Sequence, residues 1–164
     1  MNLNELYDYK NKLVCGLCSD DEIVKLITNN DKAAVPNQKL PYTQVFPFQF
    51  VPETTDNATT FICLDVDIPE VLNKTFLNPV IYIWIFTHKS LLRLPEGGVR
   101  TDRLSTEVNR LLNGSRIFGL GELNLQSVGR FVPISDYQGR VLTYSAKDFN
   151  RSRPSKTPPS NRRG

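Results

Sequence analysis

Cysteine is scarce in this 164-residue chain, with three residues at Cys15, Cys18 and Cys63, too few for a disulfide framework. Long apolar runs are absent too. The longest, residues 80–86, falls far short of the ~20 residues a membrane helix needs. The opening Met1-Asn-Leu-Asn-Glu-Leu lacks the basic and apolar blocks of a signal peptide. These absences lead to the expectation of a soluble protein of a reducing compartment that does not engage a membrane. A positive surplus is also missing from the body of the chain. Residues 151–164 hold five of the 20 basic side chains and no acid, so the first 150 residues set 15 cations against 17 anions. A nucleic-acid-binding fold concentrates Lys and Arg on one folded face to neutralise phosphates, and that pattern is not in this body.

What is present suits a single globular domain. Hydrophobic residues make up 40% and charged residues 23%, enough apolar material for one core and too much for a disordered chain. Leu3, Leu6, Leu13, Val14 and Leu17 recur at near-helical spacing and predict a helix over 3–17. Ser19-Asp-Asp-Glu22 has capping-box spacing and predicts a short second helix ending near Asn29. Prolines 36, 41, 47 and 52 make residues 31–57 an extended arm rather than a central strand. Phe46, Phe48 and Phe50 stand at period two within it, suited to an edge of the core or to a neighbouring subunit.

The remainder, 58–150, alternates more regularly. Ile62, Leu64 and Val66 share one side of a strand over 59–67, and the apolar residues 80–88 read as a central strand covered on both faces. Loop 69–78 joins them. Leu104, Val108, Leu111 and Leu112 form a helical stripe over 102–112, with Thr101 as cap and Gly114 just past the end. Two more strands follow over 123–132 and 140–147, with a turn at 135–139. The expected fold is therefore α+β: a mainly antiparallel four-stranded sheet in ββαββ order with one long helix packed on it. N-terminal helices (1–30) and the Pro-rich arm precede this core, making one domain over 1–150, and a flexible basic tail, 151–164, follows it.

Few constellations carry chemistry. The Cys15-x-x-Cys18 pair sits at a helix end with no strand before it, unlike a redox motif, and reads as buried apolar cysteine. Asp65 and Asp67 share a strand face and, with Glu70 and His88 nearby, would be the raw material of a Mg²⁺-dependent nuclease. His88, the single histidine, ends an apolar strand and reads more simply as a structural or capping residue. Arg103, Glu107 and Arg110 have the spacing of helical ion pairs.

Four stretches carry a resemblance: Phe61-Ile-Cys-Leu-Asp-Val-Asp67, Ile81-Tyr-Ile-Trp-Ile-Phe-Thr-His88, Gly98-Val-Arg-Thr-Asp-Arg-Leu104 running into Leu111-Leu-Asn-Gly114, and Tyr137-Gln-Gly-Arg-Val-Leu-Thr-Tyr144. Together they resemble tailed-bacteriophage neck proteins and are most similar to tail terminator, or tail completion, proteins. That resemblance implies a virion structural protein forming a ring, typically a homohexamer, assembled in the host cytoplasm and placed at the head-tail neck. Its implied partners are its own copies, the tail tube protein, the head connector and the sheath protein, with genomic DNA passing through unread. The resemblance carries over no catalytic residue, no metal and no cofactor. Subunit or partner contacts are expected at Arg100, Asp102, Arg103, Glu107 and Arg110, at Phe46, Phe48 and Phe50, and at Arg151, Arg153 and Lys156 of the tail. Two alternatives stand beside this reading: a head-side connector or stopper of the same neck, and the Asp65/Asp67 nuclease.

Overall fold

The computed structural model describes residues 3–29, 39–53, 57–69, 71–72, 76–146 and 148–149. Arg151, Arg153, Lys156 and Glu70 lie outside them, as does the expected flexible tail.

Two helices open the chain, α1 (Leu3–Ser19) and α2 (Asp21–Thr28). The cap between them is Asp20 rather than the expected Ser19. Ser19 belongs to the last turn of α1, whereas Asp20 adopts an extended backbone and its carboxylate accepts the Ile23 amide at 3.1 Å. Glu22, expected to complete a capping box, pairs with Lys25 instead. Asn29 ends α2 in the left-handed region at φ 53°. The third helix, α3 (Arg100–Leu112), starts earlier than its apolar stripe suggests, after Val99, so Thr101 lies inside the first turn and caps nothing. Gly114 at φ 77° turns the chain away just past its end. At 17 residues α1 is longer than α3 at 13, so the helix expected to be the long one is not the longest among the described residues.

The main sheet has five strands, where four were expected. In spatial order they are β1 (Val45–Phe46), β2 (Thr60–Asp67), β5 (Val80–His88), β7 (Tyr137–Ser145) and β6 (Asn124–Phe131). Four pair antiparallel. The addition, β1, comes from the Pro-rich arm and pairs parallel to β2 through Val45↔Ile62 and Phe46↔Cys63, making the sheet mixed. Between Pro41 and Pro47 it is only two residues long, too short for any alternation to reveal. Loop 69–78 also carries structure: β3 (Val71–Leu72) and β4 (Phe76–Leu77) pair as a hairpin, and β8 (Asp148–Phe149) joins β4 in a small second sheet. The β6–β7 turn falls earlier than expected, because β7 already starts at Tyr137.

All three helices lie on one face of the main sheet. α1 packs on β1 and β2, α2 on β2, and α3 on β5 and β7. Leu13, Leu17, Ile62, Ile83, Leu104 and Leu142 fill this layer almost without exposure, each such side chain contributing ~1.5–3 kcal/mol by leaving water. The opposite face was expected to be open at β2. Instead it carries a second core of Phe46, Phe61, Cys63, Phe86 and Tyr137, because the arm folds back over it. Gly139 makes that packing possible: a Cβ there would stand 2.0 Å from the Ile85 carbonyl oxygen.

Candidate functional site

The charges expected at subunit contacts on α3 divide into two kinds. Arg100 is only 4% exposed and belongs to the interior. Its guanidinium donates to the carbonyls of Leu91 at 2.7 Å and Leu26 at 2.9 Å and to Asn29 Oδ1 at 2.6 Å. Glu107 is likewise buried, between Arg103 at 3.1 Å and Arg110 at 2.8 Å. Arg110 reaches on to Asp20 at 2.6 Å, so one carboxylate both caps α2 and clamps it to α3. The hydrogen bonds that Arg110 donates to Glu107 and Asp20 raise its guanidinium above the ordinary arginine range. Asp102 holds Arg140 of β7 at 2.7 Å, which raises Arg140 in turn. Of the expected set, Asp102, Arg103 and Arg110 keep exposed faces, while Arg100 and Glu107 stitch the chain to itself.

The three arm phenylalanines also separate. Phe46 and Phe50 stack at 4.3 Å with planes 8° apart, and Phe50 continues onto Phe61 at 5.2 Å, so both serve the second core. Phe48 stays outside, 44% exposed, next to Tyr42 (61%), with Val51 (52%) exposed on the same arm. This arm closes its edge of the sheet. Outside β1, the Val45 amide donates to the Leu40 carbonyl, the Val45 carbonyl accepts from the Tyr42 amide, and Pro47 offers no donor.

The other edge is open. Among the described residues no strand pairs with the outer side of β6. Because α3 sits over β5 and β7, the sheet overhangs the helix layer by this strand, and Val128 is 52% exposed. Between α3 and β6 runs a groove of about 450 Å³, with Leu125, Val128 and Leu142 beside the polar Asp102, Asn109 and Arg140. The Tyr144 hydroxyl donates to Asn109 Oδ1 at 3.2 Å, fixing that amide. Sequence reasoning missed Val128 and Tyr42. The signal for Val128 was the stretch Ser127-Val-Gly-Arg130, which has no apolar face of its own and so reads as an edge.

The residues of the nuclease alternative are not gathered. The Lys10 ammonium sits on the Asp65 carboxylate, which also accepts the Val66 amide, while Asp67 is exposed. His88 is at the far end of β5. Asp65 pairs with Tyr82, and His88 is six residue steps further along the strand, about 20 Å away. His88 Nδ1 accepts the Ser90 amide and its ring meets Tyr137 edge-on. Among the described residues no three His, Cys, Asp or Glu side chains come together to hold a metal ion. Of the cysteines expected to be buried, Cys15 is exposed; burial pushes the Cys18 and Cys63 thiols up to about 11.

Fold and surface together define an α+β domain with exposed apolar side chains at both unlike edges of one sheet, Tyr42, Phe48 and Val51 on the arm and Val128 on β6, and further ones at Tyr7 of α1 and Ile117 after α3. The family model YomW matches residues 20–146, and the chain belongs to that phage-associated, SPbeta-type family. The match runs from the α2 cap to just past β7 and includes both edges. No curated protein and no solved structure matches the chain.

Proposed function

We propose that the protein is a structural component of a tailed-phage virion, a subunit of a ring that terminates the tail tube and joins it to the head connector. The observation that carries this reading is the inequality of the sheet's edges: an exposed aromatic arm closes one, and the other is an open, overhanging strand. Contacts between unlike patches are heterologous, and repeated about an axis they close a ring. The resemblance to tail terminators makes that ring a hexamer. The phage-associated family supports a phage setting, and the near balance of charge in the first 150 residues suits a channel that DNA crosses without being read. The tube protein, the connector and the sheath are the partners in this reading, with the basic tail reaching one of them.

The test is the mass and shape of the full chain in solution by light scattering and negative-stain microscopy, alone and with purified tail tubes. A closed ring with a central hole that seats on tube ends is the expected result. A monomer that neither assembles nor binds tubes would overturn it. A ring that ignores tubes and binds the head connector would instead assign the stopper role. The nuclease reading has one supporting contact, Lys10 beside Asp65; metal-stimulated DNA cleavage abolished by Asp65→Asn with Asp67→Asn would establish it over the structural one.

A further inference from the structure

Two of the described stretches of backbone without ladder partners are complementary. The first is the outer side of β6, eight residues long. Its guards are few: residues 124–131 contain no proline and one charge, Arg130. A bulge between Leu125 and Ser127 is its only irregularity. The second is the arm at residues 48–51. Among the described residues no backbone-to-backbone hydrogen bond engages Phe48, Gln49 or Val51. Prolines 47 and 52 bracket this segment, so it can act only as a short strand paired on one side.

From this juxtaposition we infer that residues 48–51 of one copy add to the β6 edge of the next, extending its five-stranded sheet by one strand. This inference rests on the ring reading above and names the contact that builds the ring. The geometry points to a second copy as the donor for two reasons. The donor lies over the second face beside β1, and the acceptor is the far edge, β6, of the same sheet, so each copy can give an arm and receive one, which is the requirement for a head-to-tail ring. Apolar surface answers apolar surface: Val51 of the added strand would share a face with Val128 beside the groove, and Phe48, three residues away, would lie on the other face. Once docked, the flanking prolines shorten the outer side of the new strand to two residues, which disfavours a further strand.

The experiment uses two variants of the full chain, Phe48→Asp on the arm and Val128→Asp on the edge, both at exposed positions where the fold tolerates a charge. Sedimentation over a range of concentration gives the oligomeric state, and circular dichroism verifies the fold. Each variant alone is expected to associate roughly tenfold more weakly or worse, as for loss of a central contact. An equimolar mixture should form a 1:1 complex of about twice the 18.7 kDa chain mass and nothing larger, because one intact arm meets one intact edge. Three results would overturn the inference: assembly unchanged in both variants, a wild-type chain that stays monomeric, or loss with Val128→Asp alone and no rescue on mixing. The last would indicate two β6 edges paired about a two-fold axis. Failure of the neck reading is distinguishable: the mixture would still give its 1:1 complex, while the wild-type ring would ignore tube ends.

Discussion

Arg100→Met tests whether this arginine holds the fold together or serves a surface. The side chain is 4% exposed and its guanidinium donates to two main-chain carbonyls and to the Asn29 amide oxygen. Leu26 and Asn29 stand at the C-terminal end of α2, where the unsatisfied carbonyls carry partial negative charge, so the cation completes that helix end while anchoring the start of α3. Hydrogen bonds from a charged donor contribute ~1.5–3 kcal/mol each. They are not additive, and removing one member of a buried polar set costs ~3–5 kcal/mol in all. Against a total stability of roughly 5–15 kcal/mol, that loss lowers the melting temperature by roughly 6–20 °C for a domain of this size. Urea unfolding followed by circular dichroism is the assay, with the midpoint falling at constant slope. Arg100→Lys, which keeps the charge but offers a point donor in place of a planar fork, should recover only part of the loss. A Met variant within ~1 kcal/mol of wild type, or a Lys variant equal to it, would refute the argument.

Gly139→Ala should destabilise by ~1–3 kcal/mol or more, since its Cβ would meet the Ile85 carbonyl oxygen at 2.0 Å and the Phe86 Cβ at 2.7 Å; an unchanged urea midpoint would contradict the close approach. Asp20→Ala removes the α2 cap and the Arg110 anchor together and should cost about 1–2 kcal/mol in the same assay. At pH 8 one thiol, Cys15, should react rapidly with a disulfide reagent, whereas Cys18 and Cys63, pushed to about 11, stay protonated and slow; three fast thiols would disprove their burial. The Lys89 hydrogen bond, and then its charge, hold the Asp136 carboxyl below its usual range. A lowered folded value means that this pair's contribution is complete above the unfolded value of ~3.9 and disappears as pH falls through the folded one. In an NMR titration the Asp136 midpoint should therefore lie below ~3.9 and rise in Lys89→Gln.

Much of the sheet-and-helix core was legible because its elements are long and periodic. The alternation along 59–67, the apolar residues 80–88 and the stripe Leu104, Val108 and Leu112 each identify an element from local spacing alone. Capping was less legible, since Ser19 and Asp20 are both good caps and the choice falls to the residue that Arg110 can also reach. The candidate site was the least legible part. Arg100 and Arg103 look alike as letters on a charged helix, yet one donates to the end of α2 and the other faces solvent. Phe46, Phe48 and Phe50 look alike too, and only the fold of the arm sends two inward and one outward.

By itself the sequence determined what depends on neighbours a few residues apart: the α+β class, the order of the principal helices and strands, the near-neutral body and the separate basic tail. Those follow from side-chain periodicity, proline stereochemistry and charge count, all local quantities. Only the tertiary structure decided that β1 joins the sheet in parallel, that both faces of β2 are buried, and that β6 overhangs α3 with its outer edge open. These features depend on which distant segments share a face. That choice is made by burial of the whole chain's apolar surface and by the closing of its hydrogen bonds, sums over contacts that no short window of sequence contains.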